Sequence, residues 1–120
     1  MQIRSFRDLR VWQAGIELIE SSYAVTSKFP RNEVYGLCSQ MQRAAVSVPS
    51  NIAEGHARES TKEYLQHLSI AQASPAELEM QLEIAWRLNY VTEAELGSFA
   101  KSNNRARKTI VRSSKCVDES

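Results

Sequence analysis

The apolar residues of the first segment, Leu9, Trp12, Ile16, Ile19, Tyr23 and Thr26, follow spacings of 3, 4, 3, 4 and 3, which is one stripe of a helix and no strand alternation. This predicts a helix over residues 6–29, capped near Ser5 and closed ahead of Pro30, whose ring disfavours helical geometry at Phe29. A second helix, over 33–55, carries Leu37, Met41, Ala44, Ala45, Val48 and Ile52 on one face, with Asn32 as its cap and Gly55 as a left-handed stop. The capping box Ser60-Thr61-Lys62-Glu63 opens a third over 61–88, lined by Leu65, Leu68, Ala71, Pro75, Leu78, Leu82 and Ala85, with Asn89 as its left-handed end. Thr92-Glu93-Ala94-Glu95 opens a fourth over 93–114 that turns Leu96, Phe99, Asn103, Ala106 and Ile110 inward, leaving residues 115–120 as a frayed tail.

Connections of about three to five residues make successive helices antiparallel neighbours, so the expected architecture is all-α, an up-down-up-down four-helix bundle filling a single domain over 1–120. Such helices make a rod about 30 to 42 Å long. Pro49 and Pro75 lie within helical segments, where each removes a backbone hydrogen bond and should kink its helix at a cost of ~3 kcal/mol. Two readings stay open for them: curvature that suits packing, or a carbonyl and polar groups at Ser47-Val48-Pro49-Ser50-Asn51 offered to a ligand.

Some apolar residues lie off these stripes. Val11, Leu18 and Val25 recur every seven residues on the first helix, and Ile70, Ala73, Met80 and Ile84 form a displaced row on the third. A four-helix bundle buries about three positions in seven, so extra rows predict a homo-oligomer with Val11, Leu18, Val25, Ile70, Met80, Ile84 and the large aromatic Trp86 at the interface. The competing reading is that they widen the core-facing arc or stay singly exposed.

Composition narrows the function. Of 120 residues, 42% are hydrophobic and 24% charged, with 4 Gly and 3 Pro, which excludes disordered and collagen-like classes. Two cysteines are too few for a disulfide scaffold, and no apolar run is long enough for a membrane span or follows a basic start as a signal peptide would, so a cytoplasmic home and no membrane partner are expected. Catalytic signals are weak. No Glu is followed by His three residues later as carboxylate-bridged metal bundles require, the Glu63/His67 pair reads as a surface contact, and Cys38 as a small buried thiol. With no nucleophile elbow, P-loop or dinucleotide fingerprint, the chain reads as a non-enzyme without metal or cofactor.

The net charge is only +1, so any basic function must be local. Lys101, Arg105, Lys108, Arg112 and Lys115 recur at 4, 3, 4 and 3, offset by two residues from the fourth helix's core row, and Arg107 adds a further cation. Such an outward stripe matches the spaced donors that a phosphate backbone requires, independent of base sequence. The competing reading is a solvated face whose cations complement the C-terminal end of the helix dipole.

The run Arg43-Ala44-Ala45-Val46-Ser47-Val48-Pro49-Ser50-Asn51-Ile52-Ala53-Glu54-Gly55, followed by Arg58-Glu59-Ser60-Thr61-Lys62-Glu63-Tyr64-Leu65, closely resembles the signature of the bacterial 23S ribosomal RNA intervening-sequence proteins. Phe6, Leu9, Trp12, Ala14, Phe29-Pro30, Glu33, Tyr35-Gly36-Leu37 and the segment from Ile70 to Glu79 extend the resemblance over residues 5–91. Where family members often carry Gly-Ser-x-x-Glu-Leu, this chain has Ala73-Ser74-Pro75-Ala76-Glu77-Leu78. The resemblance implies a four-helix bundle assembled as a barrel-like homopentamer, and it supplies no catalytic residue. Family members are encoded within insertions in ribosomal RNA genes, and a similar protein is the nucleic-acid-binding accessory subunit of a reverse transcriptase in diversity-generating retroelements. The resemblance thus implies RNA or DNA, with a reverse transcriptase as a possible type of protein partner. The resulting expectation is a homo-oligomeric binder of RNA or DNA using the fourth-helix stripe, with Arg43, Arg58 and Lys62 as additions near the signature. The alternative is an oligomeric protein adaptor that binds no nucleic acid.

Overall fold

In the computed structural model, residues 5–118 are described, and four α-helices account for most of them. They are α1 (Arg10–Thr26), α2 (Leu37–Ala57), α3 (Thr61–Arg87) and α4 (Glu93–Asp118). Two starts follow from side-chain chemistry. The Ser60 hydroxyl accepts from the Glu63 amide at 3.3 Å, and Thr92 and Glu95 exchange a full capping box, with Thr92 Oγ1 accepting at 3.1 Å and Glu95 Oε1 at 2.9 Å. Asn89, at φ 64°, takes the left-handed position after α3.

The other boundaries differ from expectation. Ser5 caps a separate 3₁₀ turn, Phe6–Asp8, because Leu9 is extended, and α1 begins only at Arg10. Asn32 caps no helix: it sits in a second 3₁₀ turn, Arg31–Glu33, and Gly36 (φ −111°, ψ −111°) separates that turn from α2. Glu33 instead supports the start of α2 from outside, accepting from the Leu37 amide at 3.4 Å while its other oxygen accepts from the Tyr90 hydroxyl at 2.8 Å. Gly55 does not stop α2. It is helical and buried, and a Cβ there would meet His67 Cβ at 2.7 Å, so its role is close approach rather than a left-handed turn. Nor is 115–118 a frayed tail, since α4 runs through to Asp118.

Each helix packs against two others, and α1 with α3 and α2 with α4 stand across the diagonals. Contacts between neighbours run in opposite directions: Gln42 bonds Thr26 and Pro49 meets Gly15 across α1 and α2, Ser74 meets Ser47 and His67 meets Asn51 across α2 and α3, and Lys28 pairs Glu95 while Glu17 pairs Arg105 across α1 and α4. The bundle extends 45 × 25 × 21 Å.

On α2, α3 and α4 the expected stripes form the core, with Met41, Ala45, Val48, Ile52, Leu68, Ala71, Leu78, Ala85 and Ile110 closed to solvent. On α1 the phase is different. Val11, Leu18 and Val25, expected at an oligomer interface, are buried within the protomer with Ala14, Gly15 and Ser22, whereas Leu9, Trp12, Ile16 and Ile19 are half-buried and Tyr23 is exposed. The reason is close packing: Gly15 lies against the Pro49 ring, where an added Cβ would meet Pro49 Cδ at 3.1 Å. The face that approaches α2 is therefore built from small residues, and the bulkier row flanks it.

Both helices continue through their prolines. The polar groups around Pro49 bond inside the bundle: Ser47 Oγ donates to the Ala44 carbonyl at 2.8 Å and shares a hydrogen bond with Ser74, and Asn51 Nδ2 donates to the Ser47 carbonyl at 2.8 Å. The carbonyl of Pro75 accepts from buried Asn103 at 2.9 Å. Both prolines thus sit at helix–helix contacts, Pro49 against Gly15 of α1 and the Pro75 carbonyl against Asn103 of α4.

Candidate nucleic-acid interface

Helix α4 buries Phe99, Asn103, Ala106 and Ile110, and its period then forces Lys101, Arg105, Lys108, Arg112 and Lys115 into solvent, where all five are exposed. They do not form one flat stripe. Lys101, Arg105, Lys108 and Arg112 line one side of a groove of about 660 Å³ between α4 and α1, whose opposite wall brings in Arg10, Gln13 and Glu17. Four cations of α4 thus face the carboxylate of Glu17 across the groove, and Arg10 adds a fifth cation on the wall of Glu17. Glu17 pairs with Arg105 at 3.0 Å in an exposed contact, which leaves the other guanidinium nitrogens of Arg105 open to a further acceptor. Lys115 and Arg107 turn the other way, into a groove of about 550 Å³ against α3 that also includes Gln72 and Val111. Lys108 and Arg112 line both, so α4 is a basic ridge between two channels.

Arg10 is the residue that sequence reasoning missed. The signal was the polar row Arg10, Gln13, Glu17 and Ser21 on α1, continued by Lys28 just after it, which is the side that meets α4 through Glu17–Arg105, Ser21–Ser102 at 3.2 Å and Lys28–Glu95 at 2.8 Å. The other candidates are dispersed. Arg43, on α2 and so diagonal to α4, lines a shallow groove with Gln42 and Val46 of the same helix and Tyr23 of α1. Arg58 and Lys62 are exposed at the α2–α3 turn and line neither α4 channel.

His67 and Cys38 serve packing. His67 does not meet Glu63 at the surface; its Nδ1 lies 3.2 Å from Asn51 Oδ1, and its side chain is largely buried between α2 and α3. Cys38 is buried, its Sγ donating to the Thr26 carbonyl at 3.5 Å, and burial pushes the thiol upward, away from nucleophilic thiolate. Among the described residues no group of three or more His, Cys, Asp or Glu is placed to hold a metal, and no helix is long and apolar enough to cross a membrane. On α3, Ile70, Met80 and Ile84 are exposed by 55%, 54% and 39%, so within the protomer this apolar row is uncovered, and Trp86, on the other flank of the helix, is exposed by 42%.

With this geometry in hand, the chain matches the family model described as 23S rRNA-intervening sequence protein over residues 7–112. It belongs to that family. The match spans all four helices and takes in Arg10, Lys101, Arg105, Lys108 and Arg112. The intervening-sequence fold is also seen in a crystal structure from Bacteroides thetaiotaomicron, described as a protein with unknown function from the S23 ribosomal protein family. That chain superposes with a TM-score of 0.78 at 21% sequence identity, covering 88% of this chain and 95% of its own, a likeness of fold. No curated protein matches the chain.

Proposed function

We propose that this intervening-sequence protein is a non-catalytic, cytoplasmic homo-oligomer, pentameric as the family resemblance implies, that binds RNA or DNA through the α1–α4 groove. One observation carries the reading: two helices converge to set Arg10, Lys101, Arg105, Lys108 and Arg112 against the lone carboxylate of Glu17. A charged channel of this kind concentrates polyanions locally although the chain's net charge is only +1. Repetition around an oligomer would multiply the effect. The uncovered apolar row of α3, Ile70, Met80 and Ile84, supports self-association. The same row favours a second reading, an adaptor that docks another protein and binds no nucleic acid.

Anisotropy titration of a labelled oligonucleotide at about 50 and about 200 mM salt separates the two. If four phosphates are neutralised, affinity falls about 50- to 150-fold between those conditions. The Arg105→Ala/Lys108→Ala/Arg112→Ala variant should lose most of both affinity and salt dependence. Undiminished affinity in that variant would remove the nucleic-acid reading, and salt-independent or absent binding in the native protein would favour the adaptor.

A further inference from the structure

The α1–α4 groove does not end at the rim of the bundle. Arg10, Thr109 and Arg112, which line it, also line a second cavity of about 490 Å³ at the end where α1 begins and α2 closes. The chemistry changes across these shared residues. The groove is walled by charged and amide side chains, whereas the cavity is walled by Leu9, the His56 ring and the Tyr64 ring. The two rings stand 6.4 Å apart at 83°, so a planar ligand lying on one presents its edge to the other. The volume falls within the roughly 300–1,000 Å³ of small-ligand sites, and no carboxylate lines it.

We propose that this cavity takes the base of an unpaired nucleotide whose strand continues along the α1–α4 groove, so that the ligand class is single-stranded nucleic acid. The inference rests on the groove reading above and goes beyond it in naming the strand form. Two guanidinium groups at the junction suit the phosphate attached to that base, and the aromatic wall suits its π face. In a duplex both faces of a base are covered by its neighbours in the stack, so only an unpaired base can enter. The Tyr64 phenol, which burial pushes further above its ordinary value of 10, keeps its proton at neutral pH and shares the cavity wall with the Ser113 and Thr109 hydroxyls. A free nucleotide shares the base-and-phosphate chemistry. The continuity of cavity and groove through three common residues favours a strand.

The protein carries its own reporter, because Cys116 is exposed on the cavity wall while Cys38 is buried. The test measures a twelve-nucleotide oligothymidylate, a duplex of the same length and thymidine monophosphate against the full chain, together with the alkylation rate of Cys116. The strand should slow Cys116 alkylation and the duplex should not. Tyr64→Leu and His56→Ala should each weaken the strand about 5- to 150-fold, the range for one stacked base, and leave duplex affinity within about twofold. Should Tyr64→Leu fail to fold, His56→Ala and the native alkylation rates decide. Unchanged strand affinity in His56→Ala with unprotected Cys116, while Arg105→Ala/Lys108→Ala still weakens binding, overturns the cavity reading and leaves the groove intact. Equal losses on strand and duplex, or a monophosphate that competes as well as the strand, also overturn it. Absence of salt-sensitive binding to any of the three would defeat the groove and the cavity together.

Discussion

Gly55 and Gly97 are both helical glycines, but a side chain meets opposite surroundings at the two positions. A Cβ at Gly55 would lie 2.7 Å from His67 Cβ and 3.0 Å from Tyr64 Cδ1, whereas one at Gly97 meets nothing within 4 Å. Overpacking costs about 1–3 kcal/mol, more than the roughly 0.5–1 kcal/mol that Ala gains over Gly in a helix. Gly55→Ala should therefore lower the urea midpoint and Gly97→Ala should raise it, the latter by a stability increase of about 0.5–1 kcal/mol. The same residue-scale logic hid the phase of α1. Local chemistry was legible where a residue acts on its own chain, as Thr92, Glu95 and Asn89 do. Gly15, Ala14 and Ser22 form a buried face because α2 approaches there, with Pro49 on Gly15 and the Met41 carbonyl at Ser22, and hydrophobicity along one segment cannot register that.

At the scale of the element, the start of α4 is tied to α1 by charge. The hydrogen bond from Lys28, at 2.8 Å, and those from Thr92 hold the Glu95 carboxyl at about 2, below its ordinary 4.5. The folded state thus binds this proton more weakly than the unfolded state does. The stabilisation is complete above pH 4.5 and is lost as pH falls towards 2. Glu95→Gln should flatten stability over that interval and leave the curve above it parallel to the native one, as read by urea unfolding at several pH values. An unaltered acid limb would show that the α1–α4 link does not couple to folding. Four helices and the core rows of α2, α3 and α4 were readable because each is a one-dimensional pattern. The start of α2 was not, since its support comes from Glu33 in the preceding turn, itself held by Tyr90 beyond α3.

Across the whole molecule, the apolar row of α3 and the basic groove of α1 and α4 occupy different sides of the bundle, so one change can address each separately. Ile84→Glu places a charge on an exposed position and should yield a helical monomer by light scattering, with native-like circular dichroism. An oligomer that persists in Ile84→Glu would show that α3 is not the contact, and a monomeric native protein would remove the proposed self-association. Leu18→Glu is no test of assembly, because Leu18 is fully enclosed by its own protomer and the change would unfold it. The α4 wall of the candidate site was legible for the reason the helices were: Lys101, Arg105, Lys108 and Arg112 share one helix face. Arg10 belongs to the groove only through the pairing of α1 with α4, a relation no single segment contains.

Arg10 is for that reason the sharpest probe of the groove as a phosphate-binding surface. In Arg10→Ala, with folding checked by circular dichroism, the slope of log affinity against log salt should fall by about 0.7–0.9 per bound chain, equally for oligonucleotides of different base sequence. A slope identical to that of the native protein would contradict the account.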